Sequence, residues 1–375
     1  MNQRLRKKNV VLLPEDMIDK HYMGMIYGQY HESSGVFNVY TDEMISAGLP
    51  FVELGKISDD ENDSSNYLFG LWSDEALTFT YKGTIFETEK YSLVQNIFSR
   101  NTGILESSIM CEKEAVILGC GSVGSLVALQ LAKSGVGKFL LVDNDIVEYH
   151  NLCRHQCGIT DVGKYKTIAL KERILNINPT AKIAIETTTV ELVRKEVFDA
   201  HCKEGCSIIV GCADNRAADI YANSIAVMYN VPFVSIGFWE RAFAGEIFYY
   251  LPNKSMPCYK CALGDGGDLS QRENSNRRIY TNEEDLLKVN FEPGISADID
   301  FVTVVGIKII LDILNLNSSE YTTRLIDTLQ QYTLICNTNK TEIGGEMAEI
   351  FSYPLQVTTS LKVNFGGKCP PCEYL

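Results

Sequence analysis

Between Ala115 and Gln156 the sequence reads AVILGCGSVGSLVALQLAKSGVGKFLLVDNDIVEYHNLCRHQ. Gly119, Gly121 and Gly124 stand in G-x-G-x-x-G spacing directly after a short apolar run. Such glycines allow a tight turn and let backbone N–H groups approach a phosphate at a helix N-terminus. Asp143 ends the next apolar run, where a carboxylate can take ribose hydroxyls. The glycines alone would also suit an NAD or FAD enzyme. The residues beyond them do not. Asp145, then Asn151 and Arg154, then Lys166, then Asp214 and Asn215 form an ordered polar series. Asp145 and Asp214 are spare carboxylates for ribose, water or Mg²⁺. Asn151, Arg154 and Lys166 are donors able to surround a triphosphate. Attack at an α-phosphorus needs charge neutralised on the phosphoryl oxygens and on the departing pyrophosphate. Hydride transfer has no such need.

Cysteine supplies a second set. Cys258-Tyr-Lys-Cys261 and Cys369-Pro-Pro-Cys372 are two C-x-x-C pairs, and together they can offer four thiolates to one tetrahedral Zn²⁺. Either pair could instead be an unrelated pair of thiols or a redox motif. Four ligands leave no open position for catalysis, so such a zinc would pin the C-terminal tail. The remaining cysteines, among them Cys153, Cys157 and Cys212, read as small buried hydrophobes. His155 reads as a packing histidine more than as a base.

The elements that must hold these groups follow from the apolar pattern. Ala115–Leu118 and Lys138–Val142 read as buried strands flanking a helix from about Ser122 to Ser134, a βαβ unit. Helices are expected over 164–176, 190–201, 215–229 and 296–314, the last with Ser296 as N-cap, and strands over 181–189, 207–211, 232–236 and 243–250. The strand 207–211 delivers Asp214 at its carboxyl end. Residues 1–88 differ: 9–13, 23–30, 36–40, 67–72 and 77–86 are strand-like, and 57–66 is a polar loop. They suggest a small β-rich or α+β module with its own partner, or else an extension that packs on a dimer. An extended peptide could add to a strand edge there, such as 36–40. The tract 264–290 is polar and without a core period, a length that in a domain is usually functional or disordered.

Composition narrows the class. The chain has 375 residues and a formal net charge of −14, which argues against a general nucleic-acid binder. No run of 18 apolar residues occurs, and Val10–Leu13 is too short for a signal-peptide core. A cytoplasmic protein is expected, its 12 cysteines serving as thiols and metal ligands.

The ordered series after the glycine loop resembles the ThiF/MoeB and ubiquitin-activating superfamily of ATP-dependent adenylating enzymes, over about 91–314 and, with the cysteine pairs, to Cys372. The resemblance implies an α/β fold with a Rossmann-like doubly wound sheet, a crossover loop at 264–294 over the active site, and a homodimer. It implies that Asp143 holds the ATP ribose, that Asn151, Arg154 and Lys166 contact the phosphates, and that Asp214 helps bind Mg²⁺. Arg100, before the nucleotide strand, would correspond to the arginine that reaches a partner subunit's ATP, although its spacing departs from the usual pattern. The tract 263–295 holds no cysteine, whereas thioester-forming relatives carry one there. Size, N-terminal module, zinc tail and missing cysteine together resemble the members that modify ribosomally made peptide antibiotics, the microcin C and pantocin A type. The reaction implied is adenylation of a peptide carboxylate. The alternative is activation of a ubiquitin-like or sulfur-carrier protein, and an NAD-dependent oxidoreductase is a distant third.

Overall fold

Val10–Pro14 is buried almost throughout, while Gly24–His31 and Val36–Val39 bury roughly every second residue, as a sheet does when it curls round its own core. The computed structural model describes residues 7–60, 67–213, 215–239, 242–264, 267, 293–338, 358–364 and 369. Two compact units emerge, Met1–Thr102 with Asn178–Thr180, and Gly103–Ile177 with Ala181–Leu375.

In the first unit seven strands close into a barrel: β1 (Val10–Pro14), β2 (Gly24–His31), β3 (Val36–Val39), β4 (Val52–Ser58), β5 (Leu68–Ser73), β6 (Ala76–Tyr81) and β7 (Thr84–Tyr91). Short helices α1 (Glu15–Asp19) and α2 (Asp42–Ser46) interrupt the strands, and α3 (Leu93–Phe98) follows them. Val11, Leu13, Ile26, Phe37, Leu68, Trp72 and Phe79 are among the side chains that fill the interior. Closure comes from β1, which runs parallel to both β3 and β7. Two sequence expectations change here. The stretch 77–86 is not one strand but a hairpin, turned at Lys82 and Gly83, both with positive φ. Two successive left-handed residues give the twist that a tight hairpin needs. The stretch 36–40 offers no open edge, because β3 pairs with β1 on one side and β2 on the other. Its main-chain groups are occupied, so strand addition there is excluded.

The second unit is an α/β fold. After α4 (Ser107–Met110), strands β8 (Glu114–Leu118), β9 (Lys138–Val142), β10 (Lys182–Glu186), β11 (Ser207–Gly211), β12 (Phe233–Phe238), β13 (Ala244–Tyr250), β14 (Tyr332–Cys336) and β15 (Thr358–Leu361) form one sheet in the order β10-β9-β8-β11-β12-β13-β14-β15. The pairings from β10 to β12 are parallel and those from β12 to β15 antiparallel. Helices cover both faces, which is why β8 and β11 are buried at every residue and read as continuous apolar runs. On one face Ile117, Leu141 and Val210 pack against α5 (Ser122–Lys133) and the later long helix Ser296–Leu314. On the other, Val116, Leu140 and Ile209 meet α7 (Lys195–His201) and α8 (Arg216–Met228). Helix α6 (Lys166–Ile177) follows β9, and α9 (Tyr259–Leu263) precedes the long helix, α10. Ser296 is the first residue of α10, not its cap; its hydroxyl donates to Asp300 Oδ2 at 3.1 Å. Among the described residues no helix is long and apolar enough to cross a membrane. The tract 264–294 lies outside the described residues except at 264, 267, 293 and 294.

Candidate functional site

The strand order reverses at β8, whose successor β9 lies on one side while β11 lies on the other. Ligands of open parallel sheets bind outside the carboxyl ends of the strands at such a point. A cavity of about 540 Å³ opens there. Gly119, Gly121, Asp143, Asp145, Asn151, Arg154, Lys166 and Asn215 all line it, although the sequence spreads them over almost a hundred positions.

Each glycine has its own reason. Gly119 has φ +95°, and a Cβ on it would lie 2.7 Å from the Cys212 carbonyl oxygen. At Gly124 a Cβ would collide with the Gly119 carbonyl, so this residue sets the contact between the loop and α5. A Cβ at Gly121 would meet no protein atom within 4 Å. Gly121 lines the cavity, so the space it leaves is space for a ligand.

The acidic and basic groups hold one another in place. Asp143 accepts from the Cys120 N–H at 2.6 Å and the Asp145 N–H at 2.8 Å, tying the glycine loop to the end of β9. Lys166, first residue of α6, is nearly buried and its Nζ lies 2.8 Å from Asp145 Oδ2. Asn151 accepts the Glu148 N–H through Oδ1 at 2.8 Å, which leaves its amide nitrogen as the donor for a ligand. Arg154 is half-buried, and a Cβ at Gly294 would lie 3.5 Å from its Nη1. Asn215 caps α8 by accepting the Ala217 N–H at 2.9 Å.

His155 joins the loop to the basic segment. Its Nδ1 accepts the Cys157 N–H at 3.0 Å, so Nε2 carries the proton and donates to the Cys120 carbonyl at 2.7 Å. Burial lowers its pKa, which keeps the ring neutral near pH 7. Burial raises the thiols of Cys120 and Cys212 well above their ordinary value. Neither is poised as a thiolate nucleophile.

The far wall of the cavity holds Ile236, Gly237, Phe238 and Trp239 at the end of β12, then Ala242 and Ile299, none singled out by the sequence pattern, and Pro293 and Gly294, the end of the tract expected over the active site. Thr188–Glu191, after β10, close the opposite end. For Thr188–Glu191 and Ile236–Trp239 the available signal was position alone, since both segments follow or end strands of the parallel part of the sheet. Asp214, between Ala213 and Asn215 of the cavity wall, lies outside the described residues. Arg100 is exposed and belongs to the first unit.

Away from the cavity, Cys258, Cys261 and Cys369 bring their sulfurs within 4.8 Å of one another. Cys258 Sγ lies 3.7 Å from Cys261 Sγ and 3.4 Å from Cys369 Sγ. Thiolates on a tetrahedral zinc are about 3.8 Å apart, so the donor set fits that ion. Cys372 lies outside the described residues.

Residues 106–343 match the ThiF family. The adenylyltransferase and sulfurtransferase UBA4 of Meyerozyma guilliermondii is 28% identical over 187 residues, covering 50% of this chain and 42% of that one. The ubiquitin-like modifier-activating enzyme 5 of Dictyostelium discoideum is 27% identical over 195 residues, 48% of this chain and 51% of that one. The chain thus spans about half the length of these curated relatives. Among solved structures, Escherichia coli MccB with AMPCPP and MccA superposes with a TM-score of 0.51 at 20% identity, over 75% of this chain and 74% of that one. That likeness is one of fold.

Proposed function

Because the chain belongs to the ThiF family, we propose that it is an ATP-dependent adenylyltransferase acting on a carboxylate. One observation carries the reading: the glycine loop, Asp143, Asn151, Arg154 and Lys166 line a single cavity at the carboxyl ends of the parallel strands. ATP lies along those ends, with Asp143 toward the ribose and Gly121 leaving room for phosphate. A carboxylate is already ionised near neutral pH, so no general base is required. One of its oxygens forms a bond to the α-phosphorus. The bond from that phosphorus to the bridging oxygen breaks, and pyrophosphate leaves with the electron pair. Arg154 and Lys166 neutralise charge that grows on the phosphoryl oxygens, and Asn151 orients them. Asp145 and Asp214 are the carboxylates that would hold Mg²⁺, whose charge would screen the phosphates.

The substrate we favour is a ribosomally made peptide, modified after activation in a peptide natural-product pathway. Two features support it: a separate N-terminal unit available for substrate capture, and a tract 263–295 without a cysteine for thioester transfer. The second reading is the carboxyl terminus of a ubiquitin-like or sulfur-carrier protein. It is favoured by the names of the relatives, an adenylyltransferase and sulfurtransferase and a ubiquitin-like modifier-activating enzyme. We assign Cys258, Cys261, Cys369 and Cys372 to a structural zinc, Arg100 to the nucleotide of a partner subunit in a homodimer, and the protein to the cytoplasm. ATP–pyrophosphate exchange tests the reaction. Lys166→Ala is expected to lower it about 10²-fold or more while the protein stays folded. Full exchange in that variant, or binding of NAD with none of ATP, would sink the proposal.

A further inference from the structure

Glu246 stands in the middle of β13, a strand buried along its whole length. A carboxylate in such a place is costly unless its charge and its lone pairs are met. Arg216 Nη2 donates to Glu246 Oε1 at 3.1 Å. The Tyr332 hydroxyl donates to Oε2 at 2.6 Å, and the Trp239 indole N–H donates to the same oxygen at 3.4 Å. The ion pair is shielded from water, its side chains being 17% exposed at Arg216 and 11% at Glu246. Charge held in this way cannot be hydrated when one member of the network is lost.

These donors come from separate elements, and two of those elements meet the cavity. Arg216 is the first residue of α8, directly after Asn215, which caps that helix and lines the cavity. Trp239 follows β12 and lines the cavity itself. Tyr332 opens β14, away from the lining. Gly237 explains how the carboxylate reaches all of them. It pairs with Glu246 across β12 and β13, and it lines the cavity. A Cβ on Gly237 would lie 3.3 Å from Glu246 Cγ and 3.5 Å from Oε1. The glutamate side chain therefore runs directly behind the wall, at a residue whose missing side chain leaves it room. Neither Glu246 nor Arg216 lines the cavity, so their effect on a ligand is indirect.

We propose that Glu246 is a positioning residue for the nucleotide cavity. Through Arg216 it holds the turn at Asn215, and through the indole N–H it holds the end of β12. One buried carboxylate so fixes the separation of two parts of the wall that the sequence sets more than twenty residues apart. The inference rests on the adenylation reading, since ATP is the ligand whose fit it governs.

The test measures ATP binding to the full chain by calorimetry, with Mg²⁺ present and below the melting temperature of each variant. Arg216→Gln and Glu246→Gln each leave a buried charge without its partner, and each should weaken ATP about tenfold. The double variant removes both charges together and should return to within about threefold of wild type. A loss from Arg216→Gln that persists in the Glu246→Gln background would make Arg216 a direct ligand group and overturn the proposal. Tyr332→Phe is a milder change, one hydroxyl removed outside the cavity, and should weaken ATP about threefold. The two tryptophans give two indole N–H signals by NMR, and Trp239→Phe identifies the one from Trp239. That signal should shift in Tyr332→Phe, because both groups donate to the same oxygen. An unchanged ATP constant in Glu246→Gln or in Tyr332→Phe, with only the melting temperature lowered, would make the network structural and overturn the proposal. If wild type binds no ATP, the nucleotide reading falls, and this inference with it.

Discussion

His155 spends both ring nitrogens on the backbone, and that fixes what it does. It ties the Cys120 carbonyl in the glycine loop to the segment that carries Asn151 and Arg154. Its proton affinity is lowered by burial, so the folded ring resists protonation that an unfolded one accepts. The stability it supports is therefore complete above the unfolded pKa of about 6.5 and is lost as pH falls through that value toward the lower folded one. Wild-type melting temperature should drop more than that of His155→Gln between about pH 7.5 and about pH 5.5. A parallel decline in the two proteins would remove His155 from the acid response. The sequence favoured a packing histidine over a base at His155, and its buried, backbone-bonded ring fits that reading. Its bridging role was hidden, since the partner at Cys120 is 35 positions away.

The turn between β8 and α5 separates two duties that its glycines share. Gly124→Ala puts a methyl into the Gly119 carbonyl and should cost about 2 kcal/mol or more of stability through displaced backbone. Gly121→Ala meets no protein atom, so it should change stability by under about 1 kcal/mol while weakening ATP about tenfold or more. Thermal melts set beside calorimetric titrations of both variants check this. Equal losses of stability would mean the loop has only one function. This turn, its two strands and most helices of the second unit could be read from sequence, because strands buried on both faces are apolar throughout and end at glycines or acids. The hairpin at Lys82-Gly83 was passed over although Gly83 marks it, because strand-forming residues stand close on both sides and a two-residue turn barely interrupts them. Strand β4 was missed as well: Val52–Ser58 mixes two exposed residues with buried ones and carries no strict alternation. The ion pair of Lys166 with Asp145 joins residues 21 apart through the start of α6, which spacing does not announce.

For the whole chain, the cysteine cluster and the barrel join residues far apart in sequence. Cys258 and Cys369 are 111 positions apart and their sulfurs are 3.4 Å apart. Metal analysis of the purified protein should find about one zinc per chain, and Cys261→Ser should lower the melting temperature more than it weakens ATP. A metal-free protein of unchanged stability would leave the thiols as packing groups. The barrel's closure was invisible in the sequence for the same reason of distance: alternation identifies strands, but not that Val10–Pro14 lies beside Glu87–Tyr91. That pairing has a consequence for the order of events during synthesis. The first strand of the unit waits for the last. Until Tyr91 has left the ribosome, β1 lacks the neighbour that completes it, and the nascent unit presents unpaired main chain on two sides. Its contacts are non-local, so its folding should be slow for its size. The nucleotide strand β8 emerges only 23 residues after Tyr91. The sheet that β8 starts is whole only when Leu361 has emerged, 270 residues after Tyr91, so the barrel can close before the second unit is complete.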